Sequence, residues 1–348
     1  MGERMPPARM LQGALWRTAV FFLPICISAG EHRVQADEYP VQQAAVTPIP
    51  TMADLRAVGI TQVGKKDTDG NVKGTSSHSA RKSAIQGLPL EHLKPEQRAR
   101  VNGILENVSY FRRLPTLAFP VDPEVYTYFV EHPDVAVSVW RAMKISKLEL
   151  WPVGPNTYQG DAQDGTVGTI EVLYRSVDKY VVICDGVFKS PLNSRPIHAQ
   201  SLLVLQNSFF KEADGNVYVT HRADLFVSFP SQTVETVARI LSPVAVMMND
   251  RTFTEISLFL RMMSMAMARR PDWVENIVSK MEGVPTTSKN ELMVLTARVY
   301  TDAQKRALAK AAAEQAVTPA GGIEYPGAEK QGRPPRVVTP DNRDATRR

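Results

Sequence analysis

The sequence predicts an α+β fold, an antiparallel β-sheet meander built against a long C-terminal helix, with extra flanking helices. Three observations predict it. From about residue 145 to 229, apolar and polar residues alternate with period two through five or six runs. No helical pattern interrupts them, which argues for an antiparallel rather than a parallel sheet. Asp214-Gly215 lies between two long alternating runs, a strong hairpin signal. Helical periodicity then flanks the strands on both sides.

In chain order, residues 1–36 read as a secretory signal. Basic residues ending near Arg17 precede "TAVFFLPICISA", too short to span a bilayer core of ~30 Å. Cleavage fits after "VQA", before Asp37, with "SAG" before Glu31 as the alternative. A lipoprotein is not expected, because Pro24 and Ile25 precede Cys26 where a lipobox wants a small residue. Residues 37–88 are polar and rich in Pro, Gly and Ser, and read as a disordered or low-complexity linker.

A domain is expected over 89–284, led in by a helix near Leu93. In "VDPEVYTYFVEHPDVAVSVWRAM", Asp122 caps a helix with Pro123 at its first position, and Pro133 divides it from a second. The strand runs follow. In "GTVGTIEVLYRS", Ile170, Val172 and Tyr174 share a face. "AQSLLVLQNSFFKE" and "NVYVTHRADLFVSF" pair across the Asp-Gly turn, with Ala213 opposite Asn216. After Pro230, Ser231 caps a helical region running to Pro271. A kink, or a break between two helices, is expected at Pro243, and Asn249-Asp250 offers a second candidate break. A short helix follows, ending at Gly283. Ser288 and Glu291 form a capping box for a last helix over 285–318. Residues 319–348 form a disordered basic tail.

Helices, then a strand meander, then a long amphipathic helix: over about 117 to 283 this layout resembles the START-like (helix-grip, SRPBCC) superfamily. The resemblance is one of architecture and carries no residue-level signature. It implies a sheet wrapped around the long C-terminal helix, with an apolar cavity between them. It also implies a lipid, sterol-like or other hydrophobic ligand. Some members of the superfamily are enzymes, so fold does not decide function.

The long helix contains "ISLFLRMMSMAMARRP". On a helical wheel Ile256, Phe259, Leu260, Met263 and Met267 form one face. Leu258, Met262 and Met265 lie nearly opposite, and Ser257, Arg261 and Ser264 make the only polar seam. A surface helix needs an apolar arc of only ~100°. This one needs cover on a second side, from other helices, a ligand or a partner protein. Phe259, Met262, Met263, Met265 and Met267 are therefore candidate ligand contacts. In the expected hairpin register Ser208 faces His221, and Gln206 is beside them. The three polar groups would orient a ligand in an apolar wall, unless His221 is a satisfied core residue or marks an opening to solvent. A one-residue slip would separate them. Asn207, Arg222 and Asp224 fall on the other, solvated face. Asp185 before Gly186 reads as a bulge or turn, or else as a carboxylate held among apolar neighbours.

No catalytic residues, metal ligands or cofactor are assigned. The six histidines are scattered, and no HExxH, CxxC, GxGxxG, Walker or GxSxG motif occurs. Once Cys26 is cleaved, Cys184 is left alone, a core thiol in a strand. The net charge of +5 gathers in the ends, including "RDATRR". These basic tails suit contact with an anionic membrane surface, and without interleaved aromatics they do not suggest nucleic acid. The expected protein is exported to the periplasm or cell envelope, where it carries a hydrophobic small molecule or lipid. The alternatives are an envelope interaction protein docking through the Met-rich helix, and an enzyme of the same fold.

Overall fold

The computed structural model describes residues 61–62, 73–189, 196–213, 215–230 and 243–317. The expected signal segment, the basic tail and the proposed cap at Ser231 lie outside these residues. The chain divides after Gln304 into two compact units. Of the second, the described part is the end of one helix.

After the short strand β1 (Thr61–Gln62) come two N-terminal helices, α1 (His78–Gln86) and α2 (Pro95–Glu106), and then two short strands in succession, β2 (Tyr110–Arg113) and β3 (Leu117–Pro120). Next come α3 (Pro123–Glu131) and α4 (Pro133–Ala142), divided at Pro133 as expected. Asp122 caps α3 by accepting from the Glu124 N–H at 3.0 Å. The meander follows: β4 (Glu149–Gly154), β5 (Thr157–Asp161), β6 (Thr166–Arg175), β7 (Lys179–Phe188), β8 (Ile197–Lys211) and β9 (Val217–Ser228). The chain ends in α5 (Pro243–Arg269), α6 (Pro271–Ser279) and α7 (Thr286–Val317).

The sheet is antiparallel throughout, in the order β1-β3-β9-β8-β7-β6-β5-β4, and β2 also pairs with β9. The mixed α+β class and the meander agree with expectation. The closing strand β3 was not expected; four residues are too few to display an alternation. Its Leu117 pairs with His221, so a strand from before α3 borders the last strand of the meander.

Helices cover both faces of the sheet. On the front, α3 to α7 bury a large core that includes Val125, Phe129, Val139, Leu203, Leu225 and Leu295. On the back, α1 and α2 cover Val181, Ile183, Leu202, Val204 and Phe226. Residues 78–86, part of the stretch expected as linker, thus form α1 and bury Ala80 and Ala84, and Leu88 just beyond the helix is buried with them. Two alanines one turn apart carry little hydrophobic signal, yet they let a helix approach a sheet closely. Leu292, Leu295 and Val299 of α7 join the front core, so the packed unit extends past residue 284.

Four local expectations are corrected. Helix α5 runs unbroken through Asn249 and Asp250, because both side chains have distant partners instead of competing for the local backbone. Asn249 reaches Tyr110 Oη at 3.3 Å, while Asp250 accepts from the Gly74 N–H and from Arg112. Helix α7 starts at Thr286, so Ser288 lies inside it and its carbonyl accepts from Tyr128 Oη at 2.9 Å. A register shift between Val172 and Tyr174 turns Tyr174 away from Ile170 and Val172 to the back face. Gly186 lies in regular pairing opposite Gly168, so Asp185 marks neither bulge nor turn. The kink expected at Pro243 falls at the boundary of the described residues.

Candidate functional site

The hairpin register decides the polar cluster. The loop between β8 and β9 is one residue longer than a two-residue turn. Glu212 N–H donates to Asn216 O at 3.0 Å, and Gly215 adopts φ +82°, the left-handed conformation that closes a three-residue loop. Asn207 therefore faces His221, Ser208 faces Thr220 and Gln206 faces Arg222. Because side chains alternate, this one-residue shift puts Gln206 and Ser208 on the back of the sheet and His221 on the front. Gln206 there accepts from Arg222 at 2.8 Å, and Ser208 is exposed. The expected Gln206–Ser208–His221 group does not form. The solvated network expected on the other face is also revised. Asn207 is buried on the front, and Asp224 is 1% exposed, held by Arg113 of β2 at 2.6 and 3.0 Å.

His221 sits at the centre of a different polar group. Its Nδ1 lies 3.1 Å from Tyr126 Oη on α3, and its Nε2 lies 2.7 Å from Ser257 Oγ on α5. Ser257 in turn donates to Phe253 O at 2.8 Å, one helical turn back. The ring stacks on Phe253 at 4.6 Å and meets the edge of Phe119 at 5.0 Å. Burial pushes the imidazole pKa down to about 3, so His221 is neutral at ordinary pH. Burial likewise raises Tyr126 far above the usual phenol range. Three elements that are distant in sequence are thus tied by one buried hydrogen-bonded chain.

Beside this chain lies a cavity of about 100 Å³ between the front of the sheet and helices α3, α4 and α5. Ile170, Val172, Tyr180, Val182, Leu203 and Leu205 form its sheet wall, together with His221 and Ala223. Tyr126, Phe129, Trp140, Phe253, Phe259 and Leu260 line the helical side. Of the candidate ligand contacts named from the sequence, only His221 and Phe259 line it. Phe259 is fixed edge-on by Phe129 at 5.2 Å and Trp140 at 5.3 Å.

The methionines lie elsewhere. Met262, Met263 and Met267 are buried in the front core and Met265 is half-buried, none of them on the cavity wall. Helices α3 and α6 and strand β3 pack around α5 and supply its second cover. The seam of Ser257, Arg261 and Ser264 is buried as well. Ser264 Oγ accepts from the Asp122 N–H at 2.8 Å, beside the start of α3. Arg261 is 7% exposed, and its Nε and Nη1 have no partner among the described residues.

Sequence reasoning missed Tyr126, Trp140, Tyr180 and Phe253. Each looks like ordinary core on its own element, and only the convergence of α3, α4, β7 and α5 makes them one wall. Asp185 on the back face is ion-paired with Arg100 at 3.0 Å and bonded to Gln200 at 2.7 Å, in contact with solvent. Neighbouring Glu171 is held below the usual carboxylate range. Partial burial works against this, but the hydrogen bonds and charge of Arg100, with help from Gln97, outweigh it. Burial pushes the Cys184 thiol up to about 12, in keeping with an inert core thiol. Among the described residues no group of His, Cys, Asp and Glu is placed to hold a metal ion, and no helix is long and apolar enough to cross a membrane.

No protein-family model and no curated protein matches the chain. Among solved structures it is similar to a conserved protein from Geobacillus kaustophilus, at 15% identity over 42% of this chain and 88% of that one, with a TM-score of 0.28.

Proposed function

We propose that the chain is a helix-grip protein of the START-like kind that binds a small hydrophobic molecule without transforming it. The observation that carries this reading is the apolar cavity between the sheet and α3, α4 and α5. From β3 onward the element order supports the family assignment: strand, two helices, six-stranded meander, long helix, with β3 bordering β9. The size of the cavity refines the ligand expected from sequence. Binding pockets for drug-sized molecules span roughly 300–1,000 Å³. A cavity of about 100 Å³ suits a single ring or the end of an acyl chain, and a whole sterol would require the helices to part.

Burial of Met262, Met263 and Met267 weighs against the docking alternative, since they offer no surface to a partner. The hydrogen-bonded state of His221 weighs against the enzyme alternative, since neither ring nitrogen is free to attack or to take a proton. Export to the cell envelope remains part of the proposal and rests on the first 36 residues; the basic tail would provide its membrane contact.

Native mass spectrometry of the full chain purified from its own host tests the binding. A retained apolar molecule of one-ring or short-chain size is expected. No bound mass, together with no thermal stabilisation by any small hydrophobic compound, would sink the reading. N-terminal sequencing of the same material tests export, with a mature start at Asp37 or Glu31 expected and an intact Met1 contradicting it.

A further inference from the structure

The cavity is not covered equally on all sides. Of the residues on its helical wall only Val130 and Pro133 are half-buried, and all the others, those of α5 included, are buried. On the sheet wall Ile170, Val172, Val182 and Leu205 are half-buried, while Leu203, His221 and Ala223 are buried. Solvent therefore comes nearest the cavity at the corner where α3 meets α4.

That corner is a joint. His132, with φ −120° and ψ 67°, lies outside helical geometry between the two helices, and Pro133 has no N–H to carry the backbone ladder across. Away from the corner both helices are tied down. In α3 the Asp122 N–H donates to Ser264, Tyr126 bonds His221, and Tyr128 Oη donates to Ser288 O. In α4, Ser138 Oγ donates to Glu282 O at 2.8 Å. Among the described residues the corner has two polar ties to the sheet, both through Glu131. Its carbonyl accepts from Tyr158 Oη on β5 at 3.3 Å, and its carboxylate lies 3.9 Å from Arg175 Nε on β6. Arg175 is brought there by the register shift between Val172 and Tyr174, which sets it opposite Tyr180 of the cavity wall. Both ties are long. The side chains of the ion pair are 35% and 31% exposed, so water screens it and it opens readily.

We infer that the α3–α4 corner is the entrance to the cavity and that Glu131 is its clasp. A ligand passes when Arg175 and Tyr158 release Glu131 and the corner turns outward about His132, while the tied parts of α3 and α4 stay in place. The long helix α5 does not move in this step. The inference rests on the cavity reading above and adds the route into the cavity and the residues that control it.

Fluorine NMR of fluorobenzene exchanging with the full chain tests it, because it reads uptake and release rates as well as affinity. Arg175→Met is expected to speed both rates about threefold with affinity nearly unchanged, and adding Tyr158→Phe to bring the gain to about tenfold. Raising the salt from about 20 mM to about 0.5 M should speed exchange in the wild type and leave Arg175→Met unmoved. Arg141→Met, which breaks the pair between the far end of α4 and Glu149 of β4, is the control and should leave the rates as they are. Wild-type rates in the double variant, or an equal gain in Arg141→Met, overturn the clasp and leave the cavity reading standing. Failure of the wild type to bind fluorobenzene overturns the cavity reading and this inference with it.

Discussion

Acid should loosen this protein through one residue. His221 is 2% exposed, and burial lowers its pKa from the ordinary 6.5 to about 3. In the unfolded chain the imidazole takes a proton as the pH falls through 6.5, while in the folded chain it stays neutral until near 3. The unfolded state therefore binds more protons throughout that window, and stability falls as pH falls. Each pH unit below 6.5 costs ~1.4 kcal/mol, so pH 5 removes about 2 kcal/mol relative to pH 7.5. Urea unfolding of the wild type and of His221→Gln at both pH values isolates the effect, because every other titrating group is common to the pair. The variant is expected to be less stable at pH 7.5, with the gap narrowing by about 2 kcal/mol at pH 5. Parallel pH profiles would refute the assignment of a neutral, buried imidazole. A gap that widens in acid would mean that the ring is charged when folded.

Two further substitutions probe charges that the fold has buried. Arg113→Met strands the Asp224 carboxylate, which is 1% exposed, and is expected to cost about 3–5 kcal/mol in urea unfolding, most of it recovered by adding Asp224→Leu; no recovery in the double variant would contradict the pairing. Arg261→Met removes a guanidinium with two unsatisfied nitrogens and is expected to raise stability by about 1–3 kcal/mol, so a fall in the urea midpoint would show that Arg261 has a partner.

The parts of the fold legible in the sequence are those written as long periodic runs. The meander, α3 with its Asp122 cap, and α4 beginning at Pro133 follow from spacing and from proline geometry. What was hidden depended on single residues or on distant neighbours. One extra residue beside Gly215 moved the β8–β9 register, and with it Gln206 and Ser208 to the opposite face from His221. Periodicity cannot count loop residues. Helix α1 is held by alanines, whose value lies in the closeness they permit, and hydrophobicity does not record that. The wide apolar arc of α5 correctly demanded a second cover, but which element supplied it was a tertiary question. The candidate site was least legible: His221 and Phe259 were visible as candidates, whereas Tyr126 and Trp140 matter only because α3 and α4 bring them over the sheet.

The pairing of β3 with β9 also constrains the order of events during synthesis. Leu117 finds its partner only when His221 has been made, and β2 waits on the same strand for Phe226 and Val227. A growing chain must therefore carry β2 and one edge of β3 unpaired, and α3 and α4 uncovered, until nearly the whole meander has left the ribosome. The hydrogen-bonded chain through Ser257 comes later still. Contacts this distant along the chain make folding slow and leave partly made chains prone to aggregation. Under the export proposed above, the same delay would be an asset: a chain that cannot close until its last strand arrives would stay threadable until translocation is nearly finished.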